Sequence, residues 1–138
     1  MALPESIRRA WMETDYRVRL PRGGYASIRF GEPLPATLLP MLRHTDDTWG
    51  YITAWNPAGV RHPLAENRAQ QRALRDALQR NGYAYHAGIG VGITDWREAS
   101  LFVPGIGFAE LDVLARRFGQ LGVVRGTGTG PAELHDLV

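Results

Sequence analysis

The chain has 138 residues, which is enough for one compact domain and too few for two domains with separate cores. Hydrophobic residues make up 44% and charged residues 22%, close to the average for globular proteins, so the composition excludes a chain that is disordered throughout. There is no cysteine, which excludes disulfides, thiolate nucleophiles and cysteine-based metal sites.

The charged residues give a formal net charge of only +2, and all 16 basic residues are arginine. The arginines are spread along the chain among 14 acidic residues, whereas nucleic-acid-binding proteins more often cluster their basic residues, so a nucleic-acid partner is not expected. No apolar run approaches the roughly 20 residues of a membrane span. The N-terminus lacks the apolar segment of a secretory signal. We therefore expect a cytoplasmic, bacterial-type domain with no membrane association.

The first third of the chain predicts a hairpin and a short helix. Residues 1–14 form a short helical or irregular lead-in. Two strand-like runs, 16–20 and 25–30, are separated by a connection that contains proline and glycine, which is typical of a hairpin. Residues 33–42 predict a short helix. Pro35 lies near its first turn, and Pro40 limits its length.

The rest of the chain alternates between strands and helices. The order strand–helix–strand–strand–helix–strand predicts a ferredoxin-like α+β fold, βαββαβ, with an antiparallel sheet and both helices on one face. The N-terminal hairpin and short helix would extend or cover this sheet. We expect a single domain over residues 1–125 and a flexible C-terminal tail over 126–138. The predicted elements are strand 48–55, helix 63–80, strand 83–93, strand 98–103, helix 108–118 and strand 121–124.

The strand at 83–93 has an apolar face at its odd positions and a nearly bare face at its even ones, including Gly88, Gly90 and Gly92. A bare stripe of this kind lets another backbone, a side chain or a ligand approach closely. Simple packing inside the domain is the alternative interpretation. Together with exposed edge strands, the stripe also favours a homodimer.

The helix at 63–80 carries amides where its inward face should continue toward the N-terminus. Leu74, Ala77 and Leu78 define that face. Steps of three and four residues lead from them to Gln70, Gln71 and Asn67. These amides either line a binding site or brace a neighbouring loop.

Glu98 and Ser100 share one face of their strand and would lie near His86 if the two strands pair. A carboxylate, a hydroxyl and an imidazole can perform acid–base chemistry, form a polar binding patch or complete a structural network. The four histidines lie in separate segments without the spacing of a metal site, so no metal and no cofactor is predicted.

Four short motifs give the chain a resemblance to a known family. The motifs are Thr53-Ala54-Trp55-Asn56-Pro57, Glu66-Asn67, Trp96-x-Glu98-x-Ser100 and Phe118-Gly119-Gln120. In this order they resemble an uncharacterised bacterial family of small single domains, catalogued as a domain of unknown function, over about residues 16–124. Ala99 departs from the second acidic residue that many members carry. The resemblance implies membership and no particular reaction, and it favours the motif positions as the family's signature.

These observations favour a ligand-binding or regulatory module for a small polar or anionic molecule. One alternative is a small metal-independent enzyme with Glu98 as its catalytic acid or base. Another is a protein-interaction subunit, antitoxin-like or accessory. In a βαββαβ sheet, strand ends and helix N-termini can gather at one edge. We therefore predict that Glu98 converges there with the ligand-binding residues Trp55, Asn56, Asn67, Trp96 and Ser100, with Gln120 at the edge of the pocket. Thr53 is also predicted to bind the ligand.

Overall fold

A computed structural model describes residues 3–138, which contain three α-helices and seven β-strands. Two short 3-10 turns lie at Leu39–Met41 and Pro57–Gly59. The helices are α1 (Glu5–Met12), α2 (Leu64–Arg80) and α3 (Phe108–Arg117). The strands are β1 (Asp15–Arg19), β2 (Tyr25–Ile28), β3 (Thr48–Ile52), β4 (His86–Val91), β5 (Arg97–Pro104), β6 (Gly122–Thr127) and β7 (Glu133–Asp136).

The strands form one antiparallel sheet in the order β2-β1-β4-β5-β3-β6-β7. The sheet curves into a half-barrel, and its two ends approach each other where Phe30 and Ala132 form a parallel bridge. The amide of Gly31 donates to the carbonyl of Ala132 at 2.9 Å, and the amide of Ala132 donates to Glu32 at the same distance. Curvature of this kind gives the sheet an inner, concave face and an outer, convex face.

The predicted ferredoxin-like fold is wrong. That fold has four strands and leaves the face without helices open, whereas the structure has a seven-stranded half-barrel with three helices. Of the two roles expected for the N-terminal hairpin, the structure shows extension of the sheet, because β1 pairs directly with β4. Residues 126–138, which were predicted to be a tail, contain β7 paired with β6.

Two hydrophobic clusters occupy the two faces of the sheet. Helices α2 and α3 pack on the convex face, where Leu74, Leu78 and Leu111 are fully buried. Gly50 in β3 permits the close approach of α3, since a Cβ there would lie 2.7 Å from the methyl groups of Leu111.

The concave face is filled at one end by the segment between β2 and β3. The predicted helix at 33–42 is mostly irregular, with the single 3-10 turn at Leu39–Met41, because its prolines interrupt a regular helix. It still presents apolar side chains at a helical spacing, and Leu34, Leu38 and Leu42 are buried against Trp49. The other end of the concave face is not filled in this way.

Candidate functional site

A cavity of about 480 Å³ occupies the open end of the concave face. Its floor comes from strands β1, β3, β4, β5 and β6. Helix α1 forms one wall, and the loops before β5, after β3 and before β6 form the rim. The mouth of a β-barrel is a common place for a small-molecule site, because the curved sheet provides a concave surface with side chains at fixed positions.

Gly90 creates the space in the floor of the cavity. In the sheet it pairs with Tyr16 on one side and with Glu98 on the other. A Cβ on Gly90 would have no neighbour closer than 3.5 Å, from Thr14. Tyr16 and Glu98 therefore stand on either side of a position that has no side chain.

Gly88, two residues earlier, has a different environment. A Cβ there would lie 2.5 Å from the carbonyl oxygen of Arg17 and 3.0 Å from the hydroxyl of Tyr51. The Tyr51 ring packs into the space that this glycine leaves. One glycine of the predicted stripe thus accommodates a core side chain, while Gly90 opens into the cavity.

Glu98 is the acidic residue in the floor of the cavity, and it is only partly accessible to solvent. Burial raises its pKa from the ordinary 4.5 to about 7, because the charged carboxylate loses hydration. The side chains of Trp96 and Asn56 oppose this effect by donating toward the carboxylate. Since the indole N–H is the only donor of a tryptophan side chain, that group faces Glu98.

Two tyrosines complete the floor beside Glu98. The hydroxyl of Tyr16 donates to the carbonyl of Trp11 at 2.7 Å, and the hydroxyl of Tyr51 donates to the carbonyl of Arg17 at 2.9 Å. Burial raises the pKa of both phenols above the ordinary value, and the charge of Glu98 adds to the effect. Both tyrosines are therefore neutral at physiological pH.

The loop after β3 is held by amides from helix α2. Asn67 Oδ1 accepts from the backbone amide of Asn56 at 2.9 Å, and Asn67 Nδ2 donates to Asn56 Oδ1 at 2.8 Å. Gln71 Oε1 accepts from the backbone amide of Ala54 at 2.9 Å. Gln70, which was predicted to share this inward face, is exposed instead. The loop needs this support because Asn56 and Ala58 both have positive φ, at 44° and 58°, which L-residues adopt at a cost.

Trp96 separates the cavity from a smaller pocket of about 290 Å³ at the start of α2. The side chains of Trp55 and Asn67 line this second pocket and not the larger one. The guanidinium of Arg61 lies 4.7 Å from the centroid of the Trp96 ring, a cation–π arrangement.

The structure places the eight sequence-predicted site residues at two adjoining pockets. Six of them line the cavity: Thr53, Asn56, Trp96, Glu98, Ser100 and Gln120. Asn67 is 3% exposed, and both polar atoms of its amide are used within the loop, so its contacts are those of a brace. Gln120 lies at the rim, where its amide donates to the carbonyl of Trp55 at 3.2 Å.

Sequence reasoning missed the part of the site that comes from the N-terminus. Tyr16, Thr14 and the inner side of α1, including Trp11, line the cavity, although residues 1–14 were predicted as a lead-in and the hairpin only as extending or covering the sheet. The alternation of Tyr16 and Val18 indicated a strand with one apolar face. It did not indicate the neighbour of that strand, which is β4 with its glycines.

Two classes of feature were not found among residues 3–138. These residues contain no cluster of three or more histidine, aspartate or glutamate side chains that could hold a metal ion. None of their helices has the length and apolar character needed to cross a membrane.

Comparison with known protein families identifies the family of this chain. The family model described as "Protein of unknown function (DUF3293)" matches residues 52–123, which is more than half of the chain. The chain belongs to the DUF3293 family. No match was found among curated proteins or among solved structures.

The matched range of the DUF3293 domain runs from the end of β3 to the start of β6. It contains all four motifs that suggested the resemblance, and it contains Glu98, Asn56 and Trp96 of the cavity. Tyr16 and α1 lie outside it. The site thus combines a floor and rim from the matched range with a wall from the N-terminal segment.

Proposed function

We propose that this DUF3293 domain binds a small polar molecule in the half-barrel cavity and acts as a ligand-binding or regulatory module. The observation that carries the proposal is the cavity itself, which at about 480 Å³ lies within the usual range of small-molecule sites, roughly 300–1,000 Å³. Its walls are largely apolar, with Ile7, Trp11 and Val124 among them, and a few polar side chains converge on it. That composition is typical of a binding site.

The position of Glu98 supports the proposal on energetic grounds. A carboxyl group that is largely removed from water and has no basic partner destabilises the folded state once it ionises. Among the contacts of residues 3–138, no salt bridge includes Glu98. A glutamine or leucine would fit a merely structural position at lower cost. The proposed function gives the carboxylate a partner, which is the ligand.

A second candidate function is an enzyme in which Glu98 acts as a general acid or base. The specific observation that favours it is the pKa of about 7, since a catalytic acid or base works best with a pKa near the working pH. Ser100 stands next to Glu98 on the same face of β5, but its hydroxyl donates to the backbone carbonyl of Glu98 at 3.1 Å. It is therefore not arranged as a nucleophile activated by that carboxylate.

The experiment that tests the proposed function is a thermal-shift screen against a library of polar metabolites. A compound at 100 times its dissociation constant should stabilise the domain by about 2.7 kcal/mol, which is easily detected. The matched control is Gly90→Val, which fills the floor of the cavity from a position with no close neighbour. A compound that stabilises Gly90→Val as much as it stabilises the wild type does not bind in the cavity.

The screen also separates the alternatives. Chemical change of a hit, followed by NMR and abolished in Glu98→Gln, would favour the enzyme. If no compound shifts the melting temperature, the ligand-binding proposal fails and a protein partner becomes the better explanation.

A further inference from the structure

We infer that the ligand of the cavity presents a cationic hydrogen-bond donor, an amine or amidine, carried on a small apolar body. This inference rests on the proposed function and names the chemical class of its ligand. The hydrogen atoms and lone pairs that the floor of the cavity leaves free determine what it can bind. The floor hydroxyls of Tyr16, Tyr51 and Ser100 all donate to backbone carbonyls, so their protons are already engaged.

The hydroxyl groups in the floor direct their only protons at the protein backbone. Tyr16 donates to Trp11 and Tyr51 to Arg17, as described above. The hydroxyl of Thr53 donates to the carbonyl of Ala99 at 2.6 Å. A hydroxyl whose proton is committed in this way can only accept a hydrogen bond from a ligand.

The side-chain amide donor at the rim of the cavity is also engaged. The side-chain nitrogen of Gln120 donates to two backbone carbonyls, those of Trp55 at 3.2 Å and Phe118 at 3.3 Å. The indole of Trp96 and the amide of Asn56 face Glu98. The orientation of Asn56 is fixed, because its oxygen accepts from Asn67 and from the amide of His62 at 3.0 Å.

The floor of the cavity therefore offers oxygen acceptors and one carboxylate. Arg9 of α1 and Glu13, directly after that helix, are the charged residues on the wall. Both are exposed, and they are opposite in sign. The Arg61 guanidinium stacks on Trp96 and lines the smaller pocket instead. An anionic ligand would place its own lone pairs against these acceptors, while an amidinium would donate to them and pair with Glu98. Of the small polar or anionic ligand that the sequence favoured, the anionic option does not fit these acceptors.

The test uses three planar probes of matched size: benzamidine, which is cationic, benzamide, which is neutral, and benzoate, which is anionic. Each is titrated at up to about 10 mM, the range suited to such small compounds, into isotopically labelled protein and followed by NMR. The pH is set about one unit above the pKa of Glu98, so that this residue is charged. Glu98→Gln is titrated in parallel, with Glu32→Gln, an exposed residue in a turn, as the control.

Benzamidine should perturb the resonances of Gly90 and Ser100 and bind about 10- to 100-fold more tightly than benzoate. Glu98→Gln should reduce benzamidine to the affinity of benzamide, and Glu32→Gln should leave it unchanged. If benzamide or benzoate binds in the cavity as tightly as benzamidine, or if the preference survives in Glu98→Gln, the inference is wrong and the proposed function stands. If none of the three probes perturbs the cavity, the inference and the proposed function fail together.

Discussion

Replacement of Glu98 by glutamine should make the domain more stable at neutral and alkaline pH. Glutamine has nearly the same shape and can still accept from Trp96 and Asn56, but it never carries the charge that burial penalises. The folded protein holds the proton of Glu98 up to a pKa of about 7, whereas the unfolded chain releases it near the ordinary 4.5. Folding and ionisation of this group therefore oppose each other.

The sign of the pH dependence follows from proton binding. Between pH 4.5 and about 7 the folded state binds more protons at this position than the unfolded state, so the free energy of unfolding falls as the pH rises. A change of one unit in pKa corresponds to about 1.4 kcal/mol. The rise in the pKa of Glu98 from 4.5 to about 7 thus corresponds to roughly 3 kcal/mol in the free energy of unfolding. This stabilisation is present below the lower pKa and is fully lost above the higher one.

The assay is urea unfolding of the wild type and of Glu98→Gln at several pH values from about 5 to about 8. The advantage of the variant should grow with pH to about 3 kcal/mol, which for a domain of this size is close to 10 °C in melting temperature. Glu32→Gln, an exposed change of the same chemistry, should show no growing difference. A constant difference between Glu98→Gln and the wild type across this range would show that the carboxyl is not buried as described.

Three further predictions concern the floor and the loop of the cavity. Gly88→Ala should destabilise the domain by about 1–3 kcal/mol in urea unfolding through overpacking, whereas Gly90→Ala should cost less than about 1 kcal/mol and should weaken cavity ligands instead. Asn67→Ala should cost about 1–3 kcal/mol because it leaves buried loop groups unpaired, while Gln70→Ala, exposed on the same helix, should stay within about 0.5 kcal/mol. Ala58→Gly should raise the melting temperature slightly, with a gain of up to about 1 kcal/mol, because its φ of 58° suits glycine; a loss would contradict the strained loop.

The sequence predicted helices and strands more reliably than their arrangement. The helices α2 and α3 were predicted to within one residue at each end, because apolar periodicity and Asn81 or Gly119 at their ends are local signals. The neighbours of each strand are not local. The pairing of β1 with β4 joins segments that are far apart in sequence, and the pairing of β6 with β7 uses residues that resemble a tail. Both pairings are needed to build the half-barrel.

The composition of the cavity could be predicted only in part for the same reason. The motif residues of the matched range lie on β5, on the loop after β3 and on the turn before β6, and local patterns singled them out. Tyr16 and α1 were missed because nothing local shows that the N-terminal hairpin extends the sheet next to β4. The ion pair between Arg8 of α1 and Asp136 of β7, which holds this wall to the opposite end of the chain, has no sequence signal either.

The two interpretations of the α2 amides, site and brace, are physically connected. Asn67 accepts from the backbone of Asn56 and donates to its side-chain oxygen, and these bonds leave only the nitrogen of Asn56 free to face Glu98. Without that brace the Asn56 amide could rotate and present its oxygen to the carboxylate, which would repel it. In the proposed site, Asn67 is therefore a positioning residue: it holds a strained loop in the one orientation that keeps a donor beside Glu98. The remaining acceptors of that carboxylate stay directed at the cavity.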